Sequence, residues 1–404
     1  MNPIHYTETI YHYSEKVEKE KISIKINKNI SERNKEFILQ FCRDRQIKKG
    51  FSSARILKLL NKLKLIAYLF KVDFNKATKE DIDTFLEIIT TNQKLSKATK
   101  VDYFIILKVF YKWLLGEDKK YPSLVDDIKT TLKKKERLPS EILTEEEVNI
   151  LINSTINIRD KAVISILSDS GCRVGELISL RLRDIKFNEN DNTIRLLIET
   201  GKTGGRSLIL IPSVPFLSNY INSIPNEIKN NPNNFLFLRM NQNFYFNEQM
   251  TYPSVRALLK KTGKRANIQK GVNPHAFRRH SATTSSSFMT DTQLMLRYGW
   301  SRRNTVDSYT FMNPTQADQA YMSKYGKQTL ESKESKLMPL RCSCGTFNPL
   351  DSICVNCGKP NSLKVVIKKD NEEQQALQKL KEAVLILSEN INDEARIKLA
   401  EILK

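Results

Sequence analysis

The sequence predicts a mainly α, multidomain protein: a helical lobe, then an α-rich domain with a small antiparallel β-sheet, then a zinc-ribbon-like segment. Three observations carry that expectation. Apolar residues recur at three- and four-residue intervals over long stretches, two short β-type runs flank a glycine-rich turn, and four cysteines crowd between Cys342 and Cys357.

At 404 residues and 40% hydrophobic, the chain exceeds what one core usually serves, so two or three domains are expected. Its 66 basic side chains outnumber the 45 acidic ones, for a formal charge of +21. That excess suits a polyanionic partner such as nucleic acid, although composition alone fits a ribosome-associated or membrane-surface protein equally well. No apolar run approaches the roughly 20 residues needed to span a bilayer. The N-terminus also lacks an apolar signal core, so a cytoplasmic protein with no membrane partner is expected.

Residues 1–30 are polar with little periodicity and are expected to form an N-terminal arm or a weak first element. Residues 31–118 form the helical lobe. There FSSARILKLLNKLKLIAYLF repeats at helical spacing, and two helix N-caps are marked, by Thr78 ahead of Asp81 and by Ser96 ahead of KATKVDYFIILKVFYKWLL. Lys48, Lys49, Arg55, Lys58, Lys62, Lys97 and Lys100 crowd its polar faces, where they can track a phosphate backbone. Each one alone is an ordinary solvated side chain, and only their accumulation points to DNA. Residues 119–140 break the pattern with two prolines and the run Lys133, Lys134, Lys135, and are expected to be a basic linker.

Residues 141–328 carry the chemistry. Thr144 with Glu147 restarts a helix through a capping box, RDKAVISILSDS is a helix stopped at Gly171, and RVGELISLRL begins another. The stretches TIRLLIET and SLILIP, separated by GKTGGR, are expected to pair as an antiparallel hairpin. Four local signals lie here: Arg173 with Glu176 in GCRVGEL, Lys202 in the hairpin turn, His275 and Arg278 in NPHAFRRHSATT, and Tyr309 after GW in RYGWSRRNTVDSYT. Asn273 and Pro274 fit an N-cap and first helical residue, which sets His275 and Arg278 on one face at a helix N-terminus, a natural anion site.

Taken singly, each signal has an ordinary explanation: a lone arginine is usually a surface charge, a lone tyrosine packing, and Trp300 core. Their joint order resembles the tyrosine recombinase family, whose motifs are GxRxxE, GK in a β-hairpin, HxxR, and GW ahead of a tyrosine. The likeness runs from Gly171 to Tyr309, and the preceding lobe resembles the family's SAM-like core-binding domain. Many relatives carry histidine where this chain has Trp300, whose indole N–H can still donate to a phosphate oxygen. Arg279 stands as the alternative to Arg278 for the second arginine, and the spacing from His275 favours Arg278.

The resemblance implies a site-specific DNA recombinase or integrase that cuts and rejoins strands through a 3′-phosphotyrosyl intermediate. It further implies double-stranded DNA with a specific recombination site as partner, two lobes clamping the duplex, and a homo-tetramer in the synaptic complex. Attack on a phosphodiester builds negative charge on its oxygens, which suits the guanidinium forks of Arg173 and Arg278. Tyr309 is the expected nucleophile, with His275 assisting its proton transfer and Trp300 donating to the phosphate. By resemblance Lys202 protonates the leaving 5′-oxygen, while Glu176 orients an arginine or the histidine. Tyr298 and Tyr321 are the competing tyrosines. No cofactor for catalysis is expected, because the phosphotyrosyl bond stores the energy of the broken phosphodiester. Two rival functions are type IB topoisomerase-like relaxation and a non-catalytic zinc-ribbon DNA-binding regulator.

In residues 338–362, Cys342 and Cys344 precede Cys354 and Cys357. CxC followed by CxxC, each pair beside a glycine, can close a tetrahedral site, so a structural Zn2+ is expected. Residues 370–404 carry Leu377, Leu380, Val384 and Leu387 at helical intervals and are expected to form an amphipathic helical tail.

Overall fold

The computed structural model describes residues 11–116, 120–131, 139–188, 190–199, 204–241, 244–310, 318, 321–322, 325 and 339–388. Two compact units divide the chain, Met1–Arg137 and Leu138–Lys404. Among the described residues no helix is long and apolar enough to cross a membrane.

The first unit is all helical: α1 (Tyr13–Lys25), α2 (Glu32–Lys49), α3 (Ser53–Leu69), α4 (Lys79–Thr91) and α5 (Lys97–Leu114). The expected caps are present. Thr78 and Asp81 form a reciprocal capping box at the head of α4, and the Ser96 side chain accepts from the Thr99 N–H at the head of α5. Burial follows the helical period, with Ile56, Leu59, Leu60, Leu63, Ile66 and Ala67 of α3 all facing inward. At the centre, the ring of Phe110 lies 4.8 Å from Phe74, 5.3 Å from Phe41 and 5.9 Å from Trp113.

Two stretches of this unit are more built than a plain arm and linker. Within residues 1–30, Tyr13–Lys25 is a helix that buries Val17 and Ile24 in the unit's core, so of the two expected forms, arm or first element, this part takes the second. Two inward side chains over thirteen residues are too sparse a pattern to stand out in a polar sequence. Likewise the first part of the expected linker packs onto the helices: Val125 and Ile128 are buried, and the Lys108 ammonium donates to the Asp126 and Ile128 carbonyls. Lys133, Lys134 and Lys135 lie outside the described residues.

The second unit is built round α7 (Ile158–Ser170), which is buried continuously from Ala162 to Ser168. The capping box of Thr144 and Glu147 opens α6 (Glu145–Asn153), and Gly171 ends α7 in the left-handed conformation at φ +55°. There follow α8 (Val174–Ser179) and a sheet of order β1-β2-β3, made of Ile185–Asn188, Thr193–Ile198 and Arg206–Leu210. The expected hairpin is β2 with β3, antiparallel, with Ile198 opposite Arg206. Strand β1 and a second hairpin, β4 (Leu238–Asn241) with β5 (Phe244–Gln249), are additions to the sequence reading. Helices α9 (Val214–Ser223), α10 (Asn226–Lys229), α11 (Tyr252–Arg265), α12 (Pro274–Ser285), α13 (Asp291–Tyr298) and α14 (Val306–Tyr309) complete the part that holds the site.

Beyond it, β6 (Pro339–Arg341) and β7 (Phe347–Pro349) form a small hairpin, and β7 packs against α9. The tail helix α15 (Leu363–Ser388) begins earlier than expected and leaves Leu363, Leu377 and Leu380 exposed; residues 389–404 lie outside the described residues.

Truncating Phe110 to alanine is expected to destabilise the helical unit by about 3–5 kcal/mol, because the ring sits between three aromatic neighbours that cannot all collapse inward. Urea unfolding followed by the fluorescence of Trp113 measures it.

Candidate active site

Glu176 is the third residue of α8, and this explains the i, i+3 spacing of Arg173 and Glu176. Its carboxylate reaches back to the Arg173 N–H at 2.8 Å, capping the helix start, and accepts from Arg173 Nη1 at 2.9 Å. The Glu176 side chain is only 2% exposed, whereas that of Arg173 is 31% exposed. A second arginine completes the pair from the opposite side. Arg206 Nη1 and Nη2 donate to the two carboxylate oxygens at 3.1 and 2.8 Å. Burial alone lifts the Glu176 pKa, but the Arg206 hydrogen bonds and charge, with Arg173, outweigh it and hold the carboxyl below its ordinary range.

Arg278 lies one turn after His275 on α12, whose N-cap is Asn273 as expected. The side chain points into the interior and the residue is 2% exposed. Its Nη1 donates to the Gly171 carbonyl and its Nη2 to the Tyr298 carbonyl, each at 2.7 Å. Three rings surround the guanidinium carbon, Tyr298 and Trp300 at 5.5 Å and Tyr309 at 5.7 Å. Burial, with the nearby Arg173 charge, pulls its pKa down to about 10, so it stays charged at neutral pH. Arg279, the alternative from the sequence, is partly exposed rather than buried.

Gly171 is required twice over. Its φ is positive, and a Cβ there would meet Tyr298 Cε1 at 2.6 Å. The absence of that atom lets the α7 terminus approach α13, which brings the Gly171 carbonyl to Arg278.

The rings form a continuous stack. Trp300 lies 5.0 Å from Tyr298 at 27° and 5.2 Å from Tyr309 at 33°. Tyr309 is half-buried at the end of α14, and its carbonyl accepts from the Thr283 hydroxyl of α12. Of the competing tyrosines, Tyr298 is fully buried, with its hydroxyl tied to Ser281 at 2.8 Å and Ser285 at 2.9 Å. Tyr321 is 67% exposed beside Tyr325. His275 is exposed on the first turn of α12, while the neighbouring His280 is buried with Nδ1 2.7 Å from the Leu143 carbonyl. Burial pushes the His280 pKa down, leaving the ring neutral. Lys202 lies outside the described residues.

Two anchors escaped the sequence reading. Arg206 opens β3 on the face that buries Leu208 and Leu210, and a cation in phase with an inward apolar set is a signal that alternation alone offers. Asp169, buried near the end of α7, accepts from the Ile211 and Ser213 N–H groups and the Ser213 hydroxyl, and faces Arg297 of α13 at 3.4 Å. Burial pushes its pKa up, against the pull of Arg297 and Ser213.

On the helical unit, Arg55, Lys58 and Lys62 follow one another at three and four residues along α3. Lys58 pairs with Asp102 of α5 at 2.8 Å, and the Lys62 ammonium sits 3.5 Å over the Tyr103 ring. Lys100 donates to the Thr90 carbonyl and Lys97 is exposed at the head of the same helix. Lys58 and Lys62 are thereby set against α5, whose first turn carries Lys97 and Lys100. Lys48 pairs with Asp44 near the end of α2, and Lys49 beside it is exposed.

The sulfur atoms of Cys342, Cys344, Cys354 and Cys357 all lie within 4.8 Å of one another. Cys342 to Cys357 and Cys344 to Cys354 are each 3.5 Å, too long for disulfides and close to the roughly 3.8 Å edge of a tetrahedral zinc–thiolate site. Gly345 and Gly358, both at positive φ, turn the two knuckles, with Gly345 N–H donating to the Cys342 carbonyl and Gly358 N–H to that of Cys354. This donor set fits a structural zinc ion.

Residues 141–316 match the phage integrase family. A tyrosine recombinase of Thermosipho africanus is 31% identical over 230 residues, covering 54% of this chain and 74% of the relative. A XerD tyrosine recombinase of Staphylococcus haemolyticus is 26% identical over 243 residues, covering 57% and 77%. Among solved structures, a lambda integrase dimer bound to a COC′ core site shares the fold at TM-score 0.54 and 15% identity, over 68% of this chain and 94% of that one. The Tn1549 transposon integrase in complex with transposon right end DNA does so at TM-score 0.53 and 18% identity, over 72% and 99%.

Replacing Gly171 with alanine is expected to cost about 2–4 kcal/mol, from the left-handed backbone and the overlap with Tyr298 together. Equilibrium chemical denaturation of the variant checks it; a loss below 1 kcal/mol would mean that α7 and α13 approach less closely than described.

Proposed function

The chain belongs to the phage integrase family of tyrosine recombinases and is a site-specific recombinase, and from that premise we propose that it cuts and rejoins DNA through a transient bond between Tyr309 and a 3′-phosphate. The observation that carries this reading is the buried Arg278 guanidinium facing the Trp300 and Tyr309 rings, with Arg173 close enough to depress its pKa. A fixed, permanently charged fork beside a phenol suits a phosphate whose oxygens gain charge during attack.

In this reading the Tyr309 oxygen attacks phosphorus as its proton passes to an acceptor, a role given to His275 of α12. The bond to the 5′-oxygen breaks and that oxygen takes a proton from Lys202. Arg173 and Arg278 hold the non-bridging oxygens throughout, and Trp300 donates through its indole N–H. Attack by the 5′-hydroxyl of another strand then reverses the step and frees the tyrosine, so no cofactor is consumed. Glu176 aims Arg173 and does not react.

The partner is double-stranded DNA carrying a specific recombination site, gripped along its phosphates by Arg55, Lys58, Lys62, Lys97 and Lys100, with Lys48 and Lys49 adding to them. Lys133, Lys134 and Lys135 supply further charge between residues 119 and 140. Four copies synapse two sites, and the cytoplasm is the proposed working compartment. Zinc held by Cys342, Cys344, Cys354 and Cys357 is structural and lies outside the chemistry.

On nicked suicide DNA, wild-type protein is expected to form a covalent adduct that Tyr309→Phe abolishes while Tyr298→Phe retains it, as read by denaturing gel. Strand exchange between two site-bearing duplexes is expected as well, and relaxation of supercoiled DNA without exchange would assign a topoisomerase instead. Purified without chelator, the protein is expected to carry about one zinc per chain, lost when Cys354 and Cys357 become serine, as measured by elemental analysis.

A further inference from the structure

Arg206 is assigned no part in the chemistry above, yet its environment is unusual. Its side chain is 7% exposed, and all three of its guanidinium nitrogens are engaged. Nη1 and Nη2 take one Glu176 oxygen each, and Nε donates to the Arg297 carbonyl at 2.9 Å. So committed, the fork cannot turn to a phosphate without abandoning a buried carboxylate.

We propose that Arg206 is a positioning residue for strand cleavage, acting through Glu176 to aim Arg173. The inference rests on the function proposed above and deepens it. Glu176 has two oxygens and four donors: both terminal nitrogens of Arg206, and the backbone N–H and Nη1 of Arg173. A bidentate fork fixes the plane of the carboxylate, and the fixed plane dictates the direction in which the Arg173 side chain must leave α8. Glu176 thus holds Arg173 by its backbone N–H and by one edge of its guanidinium, while the side chain as a whole remains about a third exposed.

Arg206 also works in register with Arg278. The last carbonyls of α13 belong to Arg297 and Tyr298; the first accepts from Arg206 and the second from Arg278. Both cations therefore grip the negative end of the helix that leads directly to Trp300. Burying an Arg–Glu pair is poor value as a stabiliser, since desolvation offsets most of the attraction, whereas it does fix geometry.

The test uses duplexes bearing the site recovered by sequencing DNA ends that the wild-type protein has covalently tagged, with either a phosphodiester or a neutral methylphosphonate at the scissile position. The methylphosphonate lacks one charged oxygen and so needs less from the arginines. Arg206→Gln is expected to slow phosphodiester cleavage about 10–100-fold, the scale seen when a group orienting a working residue is removed, and to slow methylphosphonate cleavage several-fold less. Arg173→Ala is expected to show the same asymmetry. Any loss of folded protein scales both substrates alike, so the ratio survives partial unfolding. Arg206→Lys keeps the charge but not the fork, and most of the defect is expected to persist. Equal losses on both substrates for Arg206→Gln, or full recovery in Arg206→Lys, overturns the positioning role. Equal losses for Arg173→Ala, or an adduct surviving in Tyr309→Phe, removes the underlying reading and this inference with it.

Discussion

A guanidinium buried to 2% exposure at Arg278 is the constraint on which the rest of the second unit depends. An unpaired charge in that position is costly enough that its surroundings have to be built for it. The carbonyl of Gly171 supplies one partner, that of Tyr298 another, and three aromatic rings lie within 5.7 Å of the guanidinium carbon. Each requirement reaches back into the chain. Only glycine permits the α7 end to lie against Tyr298, and only a helix ending at Gly299 delivers the Tyr298 carbonyl and then turns Trp300 onto the stack.

The same constraint distinguishes the tyrosines. Tyr298 and Tyr309 both face Arg278, but the hydroxyl of Tyr298 is tied to two serines in the interior, whereas Tyr309 sits at the half-open end of the stack. Around this arrangement the carboxylate of Glu176 counters a cluster of three arginines. The net local charge stays positive, as a site for a phosphodiester requires.

Much of this was legible in the residues. Helix starts were, because a cap is a local interaction between positions three apart: Thr78 with Asp81, Thr144 with Glu147, and Asn273 all stand where the chain alone places them. The β2–β3 hairpin was also legible, through the glycines between two apolar runs. Arg206, Asp169 and the packing of Val17, Ile24, Val125 and Ile128 were not, because each depends on a partner far along the chain that periodicity does not reveal. Arg206 and Glu176 are thirty residues apart, and nothing in either local pattern names the other. Lys202, whose role the family resemblance implies, His275, read from the chemistry, and the basic residues of the first unit, read from their accumulated charge, belong to the proposed function.

The most direct measurement is mass spectrometry of the DNA-linked peptide released by protease and nuclease after wild-type protein has reacted with nicked substrate. A nucleotide remnant on the Tyr309 side chain is the predicted result. A remnant on Tyr298, on Tyr321 or on any residue other than Tyr309 would contradict the account, in which Tyr309 is the phenol at the half-open end of the stack beside the buried Arg278 fork.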